Sequence, residues 1–325
     1  MKRRRALVAA GALALTPFAV AQTARTARIH VLHGETRDQS EPLRKALVDG
    51  LQARGWTVPR NLQMEVHYAD GRQENLAPLA ARAVAAAPDV IVTSGPVASL
   101  QLKKLGASIP VVFIAVFDPI ALGLGQSLAH PGGSFTGLST AVPDAFFTKQ
   151  VSLLREIVPQ LSRLAMLHNP GNPIHTLFRD RRAKWVADLG IEPIQLHASA
   201  RDGLEPAFGE AVGKGAGALY VGGDSMLMSN RPLIAELALR HRLPTMFLLK
   251  EHVEDGGLMS YGTDLADLHR RGADYVDRIL RGAKPADLPI AQPVKFDLVI
   301  NIKTAKALGL KIPQSLLVRA ERVIE

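Results

Sequence analysis

"RIHVLHGETRD" at Arg28–Asp38 and "RLAMLHNPGNP" at Arg163–Pro173 are one phrase written twice. Each runs arginine, apolar residues, Leu-His, then a turn and a helix-like segment. Two more echoes follow in the same order. "DVIVTSG" from Asp89 is answered by "GALYVGG" from Gly217, and "PVVFIA" from Pro110 by "PTMFLL" from Pro244. The three offsets are 135, 128 and 134 residues. Any chain of alternating strands and helices yields some echoes. Three at similar offsets in one order point to two halves built alike.

Working outward, the first half offers strand candidates at Ile29–His33, Leu62–Tyr68, Val90–Thr93 and Val111–Val116. They are nearly apolar throughout, as strands covered on both faces must be. Helix-length stretches at Ser40–Arg54, Gln73–Ala86 and Pro96–Leu105 separate them. This alternation predicts α/β architecture: two similar Rossmann-like lobes with parallel sheets. Three stretches are candidates for crossings between lobes: Gly132–Thr140, Gly256–Asp264 and the proline-rich run that follows the helix expected at Leu265–Arg281. The expected lobes are residues 28–137 with 262–290, and residues 138–261 with 291–325.

The opening "MKRRRALVAAGALALTPFAVAQT" has the layout of an export signal over residues 1–21, with cleavage after Ala19-Val20-Ala21. Its apolar run is shorter than the ~20 residues a membrane span needs. The arginine cluster leaves Sec and twin-arginine export both open. Four of the nine net positive charges lie in this segment, and the remaining basic residues are interleaved with acids. No basic stripe with aromatics is present, so no nucleic-acid partner is expected. The absence of cysteine rules out disulfides and thiolate chemistry. A periplasmic protein whose mature part is not embedded in the membrane is the expectation.

Ligands of open α/β sheets bind beyond the carboxyl ends of the strands, where helix N-termini point. The residues after each strand are therefore the candidates. In the first half they are Glu35 and Thr36 in the loop after His33, the group Thr93, Ser94, Gly95 and Ser99 around the start of a helix at Pro96, and Asp118. The hydroxyls and free amides near Pro96 suit an anion, or are a plain helix cap. Asp118 is either a cap or a cleft acid. The second half offers Asn169, Asn172, Asp224 and Ser225. An anion-seeking site facing a carboxylate would suit a zwitterion such as an amino acid.

Enzyme readings fare poorly. "GGDSM" from Gly222 resembles the nucleophile block of a serine-esterase family, but that family's Asp-x-x-His is missing and Asp267–His269 has the wrong spacing. No Gly-x-Ser-x-Gly elbow, phosphate-cradling loop or zinc-ligand motif occurs. No catalytic residue, metal or cofactor is expected. His33 and His168 end equivalent strands, where a hydrogen-bonded structural role outweighs a ligand role.

Three blocks carry a family resemblance: "APDVIVTSG" from Ala87, the run from Ile109 to Ser139 containing "VFDPIALGLG", and the run from Tyr261 to Pro313 beginning "YGTDLADLHRRGADY". On these the chain resembles substrate-binding proteins of ABC transporters of the tryptophan/phenylalanine-binding type, with the type I periplasmic binding-protein fold. The resemblance implies a receptor, expected to be monomeric, that hands a small solute to an inner-membrane ABC permease. A sensory protein presenting solute to a membrane receptor is the alternative from another class. Family cleft positions carry over onto the loop after His33, onto Thr93, Ser94, Ser99 and Asp118, and onto Asn169, Asp224 and Ser225. Tyr261, Gly262, Thr263 and Asp264 join them at a crossing. Two methionines after Asp224 depart from the usual polar turn and favour an apolar-bodied ligand.

Overall fold

The repeated phrase folds as a buried strand both times. In the computed structural model, which describes residues 26–140 and 145–325, the first sheet holds β1 (Ala27–His33), β2 (Leu62–Tyr68), β3 (Val90–Ser94), β4 (Val111–Val116) and β5 (Phe135–Ser139). The second holds β6 (Arg163–His168), β7 (Glu192–His197), β8 (Ala218–Val221), β9 (Thr245–Phe247), β10 (Met259–Gly262), β11 (Asp297–Asn301) and β12 (Arg322–Ile324). The helices are α1 (Arg37–Gln52), α2 (Leu76–Ala85), α3 (Pro96–Lys104), α4 (Ala145–Ile157), α5 (Pro173–Asp188) and α6 (Leu204–Gly213). They continue with α7 (Ser225–Ser229), α8 (Arg231–Arg240), α9 (Lys250–Glu254), α10 (Leu265–Leu280), α11 (Ile302–Ala307) and α12 (Gln314–Arg319). The export signal expected over residues 1–21 lies outside the described residues.

The strand orders are β2-β1-β3-β4-β5 and β7-β6-β8-β9-β10, the second extended by β11 and β12. The sequence echoes therefore mark β1 and β6, β3 and β8, β4 and β9, which hold equivalent places. Pairing is parallel except between β10 and β11. That exception follows from the route, because β11 enters its sheet only after the chain has visited the other lobe.

Alternation along each strand feeds two cores. Val31, Val92 and Ile114 pack on α1 and α10, while Leu32, Ile91 and Phe113 pack toward α2 and α3. Met166 and Tyr220 lie on one face of the second sheet, Leu167 and Val221 on the other. Although α10 follows a strand of the second sheet, it docks on α1 of the first lobe. Gly50 makes the approach possible, since a Cβ there would sit 2.8 Å from that of Ala273. Trp56 Nε1 donates to Asp277 across the same seam at 2.8 Å.

The stretches expected to cross between lobes are partly strand. Residues 135–139 form β5, and 259–262 form β10, so the chain changes lobe just beyond each. The third change follows Ala291, which donates to Gly137 and accepts from Ser139. Among the described residues no helix is long and apolar enough to span a membrane.

The twin histidines turn out to be packing groups without hydrogen bonds. His33 stacks between Tyr68 and His269, and His168 lies against His175. Burial brings His33, His168, His175 and His252 down to about 3. In the unfolded chain each returns to near 6.5, so below that pH the unfolded state binds more protons and stability is lost as pH falls. Glu251, raised by burial to about 7, acts in the opposite sense down to the ordinary carboxylate range. We therefore expect stability to fall progressively from about pH 6.5 toward pH 3, with cooperative acid unfolding within that window. Circular dichroism against pH checks this, and His33→Phe should move the midpoint to lower pH.

Candidate functional site

A cavity of ≈ 70 Å³, open to solvent at its mouth, lies between the carboxyl ends of the two sheets. The first lobe contributes Glu35 after β1, Ser94, Gly95 and Pro96 after β3, Phe117 after β4 and Thr140 after β5. The second contributes Ile174 and Arg182 from α5, then Gly223, Asp224, Ser225 and Met228 after β8. Leu248, Leu249 and Leu265 complete apolar walls.

Local chemistry explains why these residues arrive there. Gly95 has φ 82°, a left-handed value that glycine adopts without strain, and it turns the chain from β3 into α3 with Pro96 at the first helical position. Asn172 starts α5 by accepting from the Ile174 amide at 3.1 Å. From there a buried stripe runs Ile174, Phe178, Arg182, Val186, at the four-residue spacing of a helix face. Arg182 thus occupies a position the helix otherwise fills with apolar side chains.

Arg182 is 5% exposed. It lies over Phe117 and Phe147, its Nη1 has no hydrogen-bond partner, and no carboxylate among the described residues pairs with it. Burial lowers its proton affinity, opposed only by Tyr220, yet a guanidinium stays charged. Glu35, from the opposite lobe, has Oε2 buried without a partner. Burial raises the Glu35 carboxyl, while a hydrogen bond from the Ser225 hydroxyl pulls it down. Ser225 is therefore bound to a carboxylate of the other lobe and has no nucleophile's imidazole on it.

Asp224 lines the cavity but is fully engaged. Its Oδ1 accepts from Asn169 Nδ2 (2.9 Å) and from the amides of Met226 (2.9 Å) and Leu227 (3.1 Å). Its Oδ2 accepts from Asn172 Nδ2 (3.0 Å) and, across the cleft, from Gln73 Nε2 (3.3 Å). A carboxylate has about four lone-pair directions, so no capacity remains for a ligand. Burial raises the carboxyl against the pull of these donors.

Other expected site residues take structural posts. Thr36 caps α1, and Thr93 and Ser99 share a 2.7 Å hydrogen bond that closes the β3–α3 turn. Asp118 accepts from the Ala121 amide and caps a turn while its neighbour Phe117 faces the cavity. Tyr261 stacks on Phe146, and Gly262 has no side chain because a Cβ there would meet the Leu248 carbonyl at 1.7 Å. Thr263 and Asp264 border a separate crevice, with Asp264 capping α10 and paired to Lys250 at 2.5 Å. Of the expected residues, Glu35, Ser94, Gly95, Asp224 and Ser225 reach the cavity.

Sequence reasoning missed Arg182, Phe117, Ile174 and the leucines. "FRDRRAKW" reads as a solvated charge run unless the helical period is followed from Pro173.

Two lobes of matched strand order around an interlobe cavity define a solute-binding protein of the type I periplasmic binding-protein fold. The chain belongs to the ABC transporter substrate binding protein family, whose sequence pattern matches residues 29–324. It is 22% identical over 268 residues to a tyrosine-binding protein of Clostridioides difficile, covering 82% of this chain and 76% of that one. A conserved domain protein of Vibrio cholerae superposes with TM-score 0.86 at 28% identity, covering 92% of this chain and all (100%) of that one. A Streptococcus pneumoniae ABC domain in complex with L-Trp gives TM-score 0.85 at 25% identity over the same shares, 92% and 100%.

The saturation of Asp224 carries a consequence for stability. Asp224→Ala should cost about 3 kcal/mol or more, because it strands buried donors on both lobes. Ser94→Ala should stay within about 1 kcal/mol. Urea denaturation of the solute-free protein distinguishes the two.

Proposed function

We propose that this chain captures an α-amino acid with an apolar side chain and delivers it, as a periplasmic monomer, to an ABC permease in the inner membrane. The observation that carries the reading is the pair of unanswered charges in one apolar cavity. Arg182 awaits an anion and Glu35 a cation, on opposite lobes. A zwitterion answers both, with its carboxylate on Arg182 and its ammonium on Glu35. Ser94, Gly95 and the start of α3 add polar contacts suited to the carboxylate side. Phe117, Ile174, Met228 and the leucines then surround the side chain. The names carried by the similar proteins, tyrosine-binding and L-Trp-bound, support the same substrate class.

The two lobes would close about their three crossings. Gln39 Nε2 donates to the Ser229 carbonyl at 3.1 Å and Gln73 to Asp224, bonds that tie first lobe to second. Gly34 permits this fit, since a Cβ there would lie 2.3 Å from Ser225 Oγ. A solute that touches both lobes gains its full contacts only in the closed form and shifts the population toward it.

Calorimetric titration with the common amino acids tests the reading, with tryptophan, tyrosine, phenylalanine and the aliphatic residues as expected binders. Arg182→Met should weaken binding at least ~100-fold while leaving the solute-free protein as stable or more so, since it removes a buried unpaired charge. Glu35→Gln should weaken it ~10-fold or more, and the corresponding decarboxylated amine should not bind wild type. Undiminished affinity in Arg182→Met would remove the guanidinium from the site and with it the amino-acid reading.

A further inference from the structure

His30 on β1, with Glu65 and His67 on β2, form a cluster apart from the cleft. The parallel register sets His30 opposite Glu65, and His67 follows two residues on, so all three side chains emerge on one face. Both histidines are buried, at 6% and 5% exposure. His30 Nδ1 and His67 Nε2 stand 3.0 Å apart, and Glu65 Oε1 is 3.7 Å from His67 Nε2. One ligand atom from each of the three lies within 4.8 Å of the others.

We infer that this cluster is a binding site for a late first-row divalent cation such as zinc. The argument is geometric. Two nitrogens bound tetrahedrally at 2.0–2.1 Å lie about 3.3 Å from each other. The imidazole pair is within about 0.3 Å of that spacing. At present one ring donates its proton to the other. A shift of that proton to the same ring's other nitrogen leaves both facing nitrogens free to ligate in neutral rings, and Glu65 supplies a negative oxygen beside them.

Glu65 is half exposed and opens the fourth position to water. Its present partner, Arg82 at 3.0 Å, is 70% exposed, a tether that water can replace. No linear motif reveals the site, because the third ligand comes from a neighbouring strand. A cation there would pin β2, the edge strand, to β1.

The test is titration of untagged, chelator-stripped protein with zinc chloride alone, followed by calorimetry and by thermal unfolding. We expect one equivalent bound with micromolar or tighter affinity and a zinc-dependent rise in Tm. His67→Gln and Glu65→Gln should each weaken binding by about tenfold or more and diminish the Tm rise. Glu65, half exposed, can be replaced without threatening the fold, so its variant remains informative if His67→Gln unfolds. Absence of stoichiometric binding at about 100 μM zinc, or affinity unchanged in Glu65→Gln, overturns the assignment.

Discussion

The cleft is organised by one carboxylate. Asp224 takes hydrogen bonds from the loop after β6, from the first turn of α7 and from Gln73 of the opposite lobe. A buried charge is tolerated only when its lone pairs are met, and here they are met by groups from three separate segments. That requirement fixes the relative positions of Asn169, Asn172 and the β8–α7 turn. It also means that the acid most visible in the sequence is spent on building the cavity wall.

The groups proposed for recognition are instead those left incomplete. A protein interior seldom keeps a guanidinium without an anion, or a carboxylate oxygen without a donor. Among the described residues Arg182 and Glu35 are both in this condition, and they come from different lobes. Stability is given up at these points unless a solute supplies the missing charges. In the proposed reading the same fact links binding to closure: neither lobe alone would satisfy both ends of a zwitterion, so the solute would supply a contact between them.

The architecture was legible in the sequence because it rests on periodicity and repetition. Val90–Ser94 and Val111–Val116 declare themselves by their runs of Val, Ile and Phe, and the offsets of their counterparts anticipate the matching strand orders. The sites of turns were readable too, since Gly95-Pro96 and Asn172-Pro173 combine a helix start with a fixed φ. Side-chain allegiance was harder to see. Thr93 and Ser99 look like cleft hydroxyls until the structure shows them bonded to each other. Asp224 looks like a ligand until its donors are identified. Arg182 sits among arginines and aspartate that are solvated, and only its place on the face with Ile174 and Phe178 sets it apart.

The two halves are alike in strand order but not in what the chain does after them, and that asymmetry shapes the molecule. After β5 the chain goes directly to α4 on the second lobe, whereas after β10 it returns to place α10 against α1. It then leaves again for β11 and β12. Each lobe is therefore completed by a segment delivered from the other, and neither can fold from one continuous stretch. Beside one of the crossings, Ala291 is hydrogen-bonded to Gly137 and Ser139 on β5. A repeat whose halves exchange their closing elements thus brings the lobe crossings beside the cavity, where, in the proposed reading, they would serve as a hinge that closes on the solute.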